Sequence, residues 1–342
     1  MFNKLIMIDF LNYSPQQQRQ ALLIVSRKRG LPEPIIEKDW WVSNILKVVF
    51  SMPIADKMIF KGGTSLSKAW KMIERFSEDI DLAIDPEYFG ASKVPTKKQI
   101  KHLRKASSLY VANEFAAMLN KALSDFGLLP YCNITVQPDG TGDNTYPEPR
   151  TISVSYPTLY KGTMSYILPV VQLEIGSRSL IEPAEPFMCK SFLAEDLPVN
   201  DVKDVNIPVA SPSKTFLEKV FLLHELFSVP RGSLSANRRS RHLYDLERMM
   251  DNPLTIPAVS DANLWNHIKE HRKAFTAIQG VDYECDIREH LVLTPPRPWV
   301  EDWRKDYDRM CQTMIYGEKV PFDQLLERMH ELETRFHRVA EP

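Results

Sequence analysis

Residues 60–85 read FKGGTSLSKAWKMIERFSEDIDLAID. A chain with only 12 glycines places two of them side by side, Gly62 and Gly63, directly after a short apolar run. Two aspartates, Asp79 and Asp81, then stand two apart in an otherwise greasy segment. KMIF, at 57–60, is short, apolar and stopped by a breaker, which predicts a strand. SLSKAWKMIERF, at 65–76, carries Leu66, Ala69, Trp70 and Ile73 at helical spacing, which predicts a helix. DIDLAID, at 79–85, alternates and predicts a second strand.

Alternation points Asp79 and Asp81 to one face and sends Ile80 and Leu82 to the core. Their Cα atoms lie about 6.6 Å apart at a rise of about 3.3 Å per residue. That spacing lets both reach one divalent ion, or bracket two ions about 3.5–4 Å apart. Mg2+ takes few carboxylates together with water and phosphate oxygens. A third carboxylate on a neighbouring strand would complete such a site. Glu174, in VVQLEIG at 170–176, is the candidate, because it interrupts an apolar strand.

The glycine pair has a matching use. Glycines let a backbone approach phosphate closely, and a helix start offers free N–H groups and the positive end of its dipole. Gly62, Gly63, Thr64 and Ser65 would then form a phosphate cradle, the last two adding hydroxyls. A cradle beside an acid pair suits a nucleoside triphosphate and in-line attack at phosphorus. GxGxxG and GxxxxGK[ST] are both absent. Taken singly, a Gly-Gly turn capping a helix and acids on the wet face of an edge strand would explain each feature. The combination, with a further acid on a later strand, favours the site.

The rest of the chain frames this segment. Its 342 residues allow two domains, and 44% hydrophobic with 25% charged residues supports a full globular core. A formal net charge of −1 gives no global basic field, so a nucleic acid would need a local patch. The four cysteines form no CxxC pair and suit reduced thiols. The start, MFNKLIMIDFLNYSPQQQ, is too short and broken in its apolar part for a signal peptide, and no window approaches a membrane span. A cytoplasmic protein with no membrane partner is expected.

Ser14-Pro15 reads as the cap and first residue of a helix that stops at Gly30. PIIEKDWWVSNILKVVFSM reads as a helix burying one wide face. A long amphipathic helix is expected over 96–127, and strands in YCNITVQP, RTISVSYP and ILPVVQLEIG. After SPSKTFLEKVFLLHELF the chain turns mainly helical. VNIPVASPS, at 205–213, reads as the boundary between domains 1–210 and 211–342. The expected class is α+β: a small mixed sheet with N-terminal helices, then a helical C-terminal domain.

KGGTSLSK…RFSEDIDL resembles the AbiEii/AbiGii-type nucleotidyltransferase toxins, a branch of the DNA polymerase β-like nucleotidyltransferase superfamily. EKDWW at 37–41 looks like that branch's N-terminal helix. SPSKTFLEKVFLLHEL looks like its helix with a functional lysine, placed here at Lys219. RRSRHLYDLERMM looks like its R-D-x-Y-D-L segment, placing Arg241 and Asp245, with His242 where an acid is more usual. The resemblance spans roughly 35–250. It implies a polymerase β-like domain and a metal-dependent enzyme, with Asp79, Asp81 and Glu174 on Mg2+ (or Mn2+) and an NTP as substrate. Lys219 would contact triphosphate oxygens. It further implies the toxin of a toxin–antitoxin or phage-defence pair, the 3′ end of tRNA as acceptor, and a separate winged-helix antitoxin.

Other features carry less. Lys219 could snorkel from an apolar helix. Asp245 could pair with Arg241 at i, i+4, position Lys219, or act as a base. The basic run KKQIKHLRKAS reads as a solvated helix face, and RRSRH, with Arg238, Arg239 and Arg241, as the better RNA contact. HIKEH lacks HExxH order and reads as exposed helix. Trp40, Trp41 and Trp70 read as core. Two competing readings stand beside RNA transfer. One is nucleotidylation of a protein side chain, the other a non-catalytic nucleotide- or DNA-binding regulator.

Overall fold

The computed structural model describes residues 9–92, 95–161, 167–228 and 235–340. The chain divides into two compact units. The first holds the chain up to Ala69 together with Ser77–Val209. The second holds Trp70–Phe76 and the chain from Ala210 on.

The first unit opens with α1 (Asp9–Asn12), α2 (Pro15–Arg29) and α3 (Glu33–Val49). Ser14 and Gln17 form a reciprocal capping box for α2, which ends at Gly30 in a left-handed turn (φ 67°). Next come β1 (Met58–Lys61), α4 (Gly62–Lys68) and β2 (Asp79–Ile84). Then α5 (Lys97–Tyr110) runs through a π-helical turn, Val111–Phe115, into α6 (Ala116–Asp125). β3 (Asn133–Val136), β4 (Arg150–Ser155), β5 (Val170–Gly176), β6 (Ala184–Met188), α7 (Phe192–Asp196) and β7 (Asn206–Ala210) follow.

The seven strands form one mixed sheet in the order β3-β4-β5-β2-β1-β7-β6. β2 runs antiparallel to β1 and parallel to β5, and β4 is antiparallel to both β3 and β5. Ile80, Leu82, Ile152, Val154, Leu173 and Ile175 line one face and are essentially inaccessible. α3 packs on β2 and β5. It was expected to bury one face, but it is buried on nearly all sides from Ile35 to Val49. Its polar residues are tolerated because each finds a partner: Asn44 Nδ2 donates to the Trp40 carbonyl and Lys47 Nζ to the Val202 carbonyl.

The helix expected over 65–76 is cut short, and α4 ends at Lys68. Lys71 adopts positive φ (52°), which breaks the helix. Residues 70–76 instead join the second unit. There the Phe76 N–H donates to Met314 O (2.8 Å), and the Tyr316 and Gly317 N–H groups donate to Glu74 O (3.0 and 3.1 Å). Trp70 is half-buried rather than core, its Nε1–H donating to Ala210 O.

The second unit is helical, with α8 (Pro212–Phe227), α9 (Arg241–Met249), α10 (Ala262–Phe275), α11 (Val300–Thr313) and α12 (Phe322–Ala340). Phe221, Trp265, Phe336 and Phe216 pack in a row, with Phe216 stacked on Phe336 and the other pairs tilted. Among the described residues, no helix is long and apolar enough to cross a membrane.

Candidate active site

In the first unit the polar face of the sheet carries the acids. Asp81 is paired at the Cα level with Glu174 across β2 and β5, and with Lys61 across β1 and β2. Asp79 is paired with Gln172, and Glu174 in turn with Thr151 on β4. Paired residues in a sheet project to the same side, so Asp79, Asp81 and Glu174 share one face, joined by Lys61, Thr151, Ser153 and Gln172. All seven are half-buried, and the residues between them are the buried ones. Lys61 opens the KGGTSLSK motif without an assigned role, and Gln172, Thr151 and Ser153 have no motif of their own. Register across four strands, β1, β2, β5 and β4, brings them here.

Among the described residues no three His, Cys, Asp or Glu side chains are already drawn together to ligand distance. Like charges on adjacent positions repel, so gathering the three carboxylates takes side-chain rotation and a counter-charge. The donor set is all hard oxygen, the set that Mg2+ and Mn2+ prefer over softer metals.

Gly62 lies against this face at positive φ (75°). A Cβ there would stand 1.8 Å from Asp81 Oδ2 and 2.6 Å from its Cγ. The glycine and the second aspartate of the pair are therefore one steric unit. A side chain at 62 would occupy the space that the carboxylate holds.

Thr64 and Ser65 are buried, and their hydroxyls serve internal bonds. Thr64 Oγ1 donates to the Asp79 carbonyl (2.5 Å) and lies 3.0 Å from Ser77 Oγ; Ser65 Oγ donates to the Gly62 carbonyl (2.8 Å). Thr64 braces α4 against the start of β2, and Ser65 closes the first turn of α4. The backbone N–H groups of this first helical turn lack intrahelical acceptors.

The EKD residues of α3 brace the same region. Lys38 pairs with Glu78, the residue before Asp79, and donates to Leu168 O (2.9 Å). Asp39 pairs with Lys68 at the end of α4 and accepts from the Phe192 N–H (2.7 Å). Glu37 accepts from Thr158 Oγ1 (2.5 Å) and the Leu159 N–H (2.9 Å). Burial pushes the Glu37 and Asp39 carboxyls up and those partners pull them down, with burial the larger effect.

The second unit holds the other residues of interest. Asp245, on α9, is fully buried. It accepts Arg75 Nε on Oδ1 (2.6 Å) and Arg75 Nη2 on Oδ2 (2.8 Å), and Lys219 Nζ of α8 lies 2.8 Å from Oδ2. Its ion-pair partners are thus Arg75 and Lys219. Burial would raise the Asp245 carboxyl, but these two cations hold it well below the usual carboxylate range. Lys219 is lowered by burial, with Arg75 and Arg241 adding to that effect against the pull of Asp245. His242 is half-buried with its Nδ1 shut off from solvent and without a hydrogen-bond partner. Burial and the neighbouring Lys219 and Arg241 keep its ring neutral. Arg75 carries no assigned role in the motif RFSEDIDL, and its partner is 170 residues away.

Arg238 and Arg239 are exposed on the turn before α9. Asp306 pins that turn, accepting from the N–H groups of Arg238 (2.8 Å) and Ser240 (3.1 Å). Lys97, Lys98, Lys101 and Lys105 are exposed on α5. On α10, His267 is exposed, whereas His271 is half-buried and stacks on Phe275 (4.5 Å), so HIKEH is not a uniformly solvated face.

The profile of the AbiEii family, described as a nucleotidyl transferase toxin of type IV toxin–antitoxin systems, matches residues 48–328. The chain belongs to the AbiEii family. It is thus a nucleotidyltransferase toxin, and membership implies an NTP substrate and an antitoxin partner. Nucleotidyltransferases of this kind use divalent metal. A solved structure of MenT4, a nucleotidyltransferase toxin from Mycobacterium tuberculosis H37Rv, aligns with 93% of this chain and 98% of its own. The TM-score is 0.44 and the identity 16%. No curated protein matches the chain.

Proposed function

We propose that this AbiEii protein is a polymerase β-like, Mg2+-dependent nucleotidyltransferase that moves a nucleoside monophosphate from an NTP to RNA, at the 3′ end of tRNA. Asp79, Asp81 and Glu174 would hold the metal, Mg2+ or Mn2+. When bound, the metal neutralises charge on the phosphate oxygens and on the leaving pyrophosphate. The observation that carries the reading is the pairing of Asp81 with Glu174 across β2 and β5, with Gly62 making room for the Asp81 carboxylate.

The residues of the chain then have defined tasks. The backbone of Gly62, Gly63, Thr64 and Ser65 would receive phosphate. Lys219, oriented by Asp245, would bind triphosphate oxygens as a point charge. Glu174 would accept the proton of the attacking hydroxyl. That oxygen bonds to the α-phosphorus while the bond to pyrophosphate breaks. Positioning and charge neutralisation supply most of the rate. Arg238, Arg239 and Arg241 would contact RNA phosphates. Work within the cytoplasm, a role in phage defence and a winged-helix antitoxin complete the proposal.

The test is incubation with each α-labelled NTP, Mg2+, total tRNA and lysate protein in parallel with Asp79→Ala. Label on tRNA that the variant fails to add supports the reading. Label on protein alone would move the acceptor to a side chain, and label retained by Asp79→Ala would remove the acid pair from the mechanism.

A further inference from the structure

We propose that Arg75 is a positioning residue for Lys219: by engaging both oxygens of Asp245, it leaves the ammonium anchored at one oxygen, with its other donors turned to a polyanion. The inference rests on the reading of Lys219 as a triphosphate contact.

The charge count within the second unit is the starting point. Asp245 supplies one negative charge to two buried cations, Arg75 and Lys219, so the trio carries one net positive charge. Arg241, one turn before Asp245 on α9, adds another, and His242 is neutral. Among the described residues, Arg75 from the 70–76 segment and Arg241, His242 and Asp245 from α9 act on Lys219. An ammonium has three donors, and Asp245 uses one.

Residues 70–76 have anchors besides the guanidinium. The backbone bonds from Phe76 to Met314, and from Tyr316 and Gly317 to Glu74, anchor residues 70–76 independently. Nη1 of the guanidinium donates to the Phe76 carbonyl (3.4 Å), while Nε and Nη2 fill the carboxylate. Without the guanidinium, both Asp245 oxygens become available to Lys219, and the pair closes as a neutral couple.

The effect on Lys219 has a sign. Arg75 repels the ammonium, so removing Arg75 lets the Lys219 pKa rise. Loss of anion binding at high pH then moves to higher pH, although binding at neutral pH is weaker. A general loosening of the fold would not raise the alkaline limit.

The experiment measures affinity for inorganic tripolyphosphate by calorimetry, without divalent metal, from about pH 6.5 to about pH 10.5. Wild type is compared with Arg75→Met, Arg75→Lys and Lys219→Met. Arg75→Met is expected to weaken binding about tenfold near neutrality and to raise the alkaline limit by about one pH unit. Arg75→Lys restores the charge but not the two-pronged bond, so it should weaken binding roughly threefold with little change in the limit. Wild-type affinity in a folded Arg75→Met, or weakened binding with an unmoved limit, overturns the inference. Should Arg75→Met not fold, wild-type affinity in Arg75→Lys overturns it instead. Lys219→Met should lose the binding. If it binds as wild type, the triphosphate role of Lys219 fails, whatever Arg75 does.

Discussion

Replacing Gly62 with alanine tests the link between the glycine turn and the acid pair. The new Cβ would stand 1.8 Å from Asp81 Oδ2, 2.6 Å from Cγ and 2.9 Å from Cβ. Ordinary contact needs about 3.5 Å, so the carboxylate must retreat by roughly 1.5 Å or more. A displacement of about 1 Å at a reacting centre can cost about 10²-fold in rate, and loss of at least that size is expected here. Positive φ adds a strain of about 1–2 kcal/mol for any non-glycine residue. Gly30 separates the two effects. It has nearly the same φ, 67° against 75°, but nothing lies within 4 Å of its would-be Cβ. Gly30→Ala should therefore lose stability by a similar amount and keep its activity. The assay is incorporation of α-labelled NTP into total tRNA, read beside thermal melts of both variants. Equal incorporation by folded Gly62→Ala and Gly30→Ala would refute the steric argument.

Glu174→Gln and Asp81→Asn keep shape and remove charge. Each should lower incorporation at least about 10²-fold and shift the melting temperature little, whereas near-wild-type turnover by either would remove it from the site. Asp245→Asn should destabilise by about 3–5 kcal/mol in urea titration, since it leaves Arg75 and Lys219 buried without their counter-charge. The folded Asp245 carboxyl lies below its unfolded value, so its contribution is present above about pH 4 and is lost on further acidification. Wild type should weaken over that range more steeply than Asp245→Asn. His224 accepts the Val292 N–H at Nδ1 (3.3 Å) and is pushed down to about 4, first by burial. Its stabilising effect is present above pH ~6.5, declines as pH falls and is lost once about pH 4 is passed. His224→Gln should flatten that part of the urea-midpoint curve, and an unchanged slope would count against the assignment.

The strands that carry the acids were legible because their period is local. DIDLAI and VVQLEIG alternate, so the shared outward direction of Asp79 and Asp81, and of Glu174 in its own strand, follows from the pleat. Which strand lies beside which does not. The pairing of Asp81 with Glu174 needs the β2–β5 register, set by a connection of more than 80 residues. β7 lies within VNIPVASPS, which reads as a domain boundary, and β6 has no expectation in the sequence; each holds a proline, Pro208 and Pro186, and proline weighs against a strand. The hydrophobic period over 65–76 predicted one helix. Leu66 and Ile73 are indeed buried, but on either side of a break that long-range bonds impose. α3 looked amphipathic because its charged residues resemble a wet face, yet their partners, Glu78, Lys68, Thr158 and Asp204, lie on distant segments. Arg75 was invisible as the partner of Asp245 for the same reason. A salt bridge across 170 residues leaves no trace in local spacing.

The excursion of residues 70–76 bears on how the molecule can be dissected. No single cut separates the two units, because seven residues of the helical one are inserted between α4 and β2 of the other. A fragment ending at Val209 would keep Arg75 yet lack both Asp245 and the Met314–Gly317 stretch that receives its backbone. A fragment beginning at Ala210 would hold Asp245 with Lys219 as its sole remaining counter-ion of the trio. Deletion studies that cut at this boundary therefore report on an altered charge cluster as well as on a missing half. Point substitutions in the intact chain are the cleaner instrument.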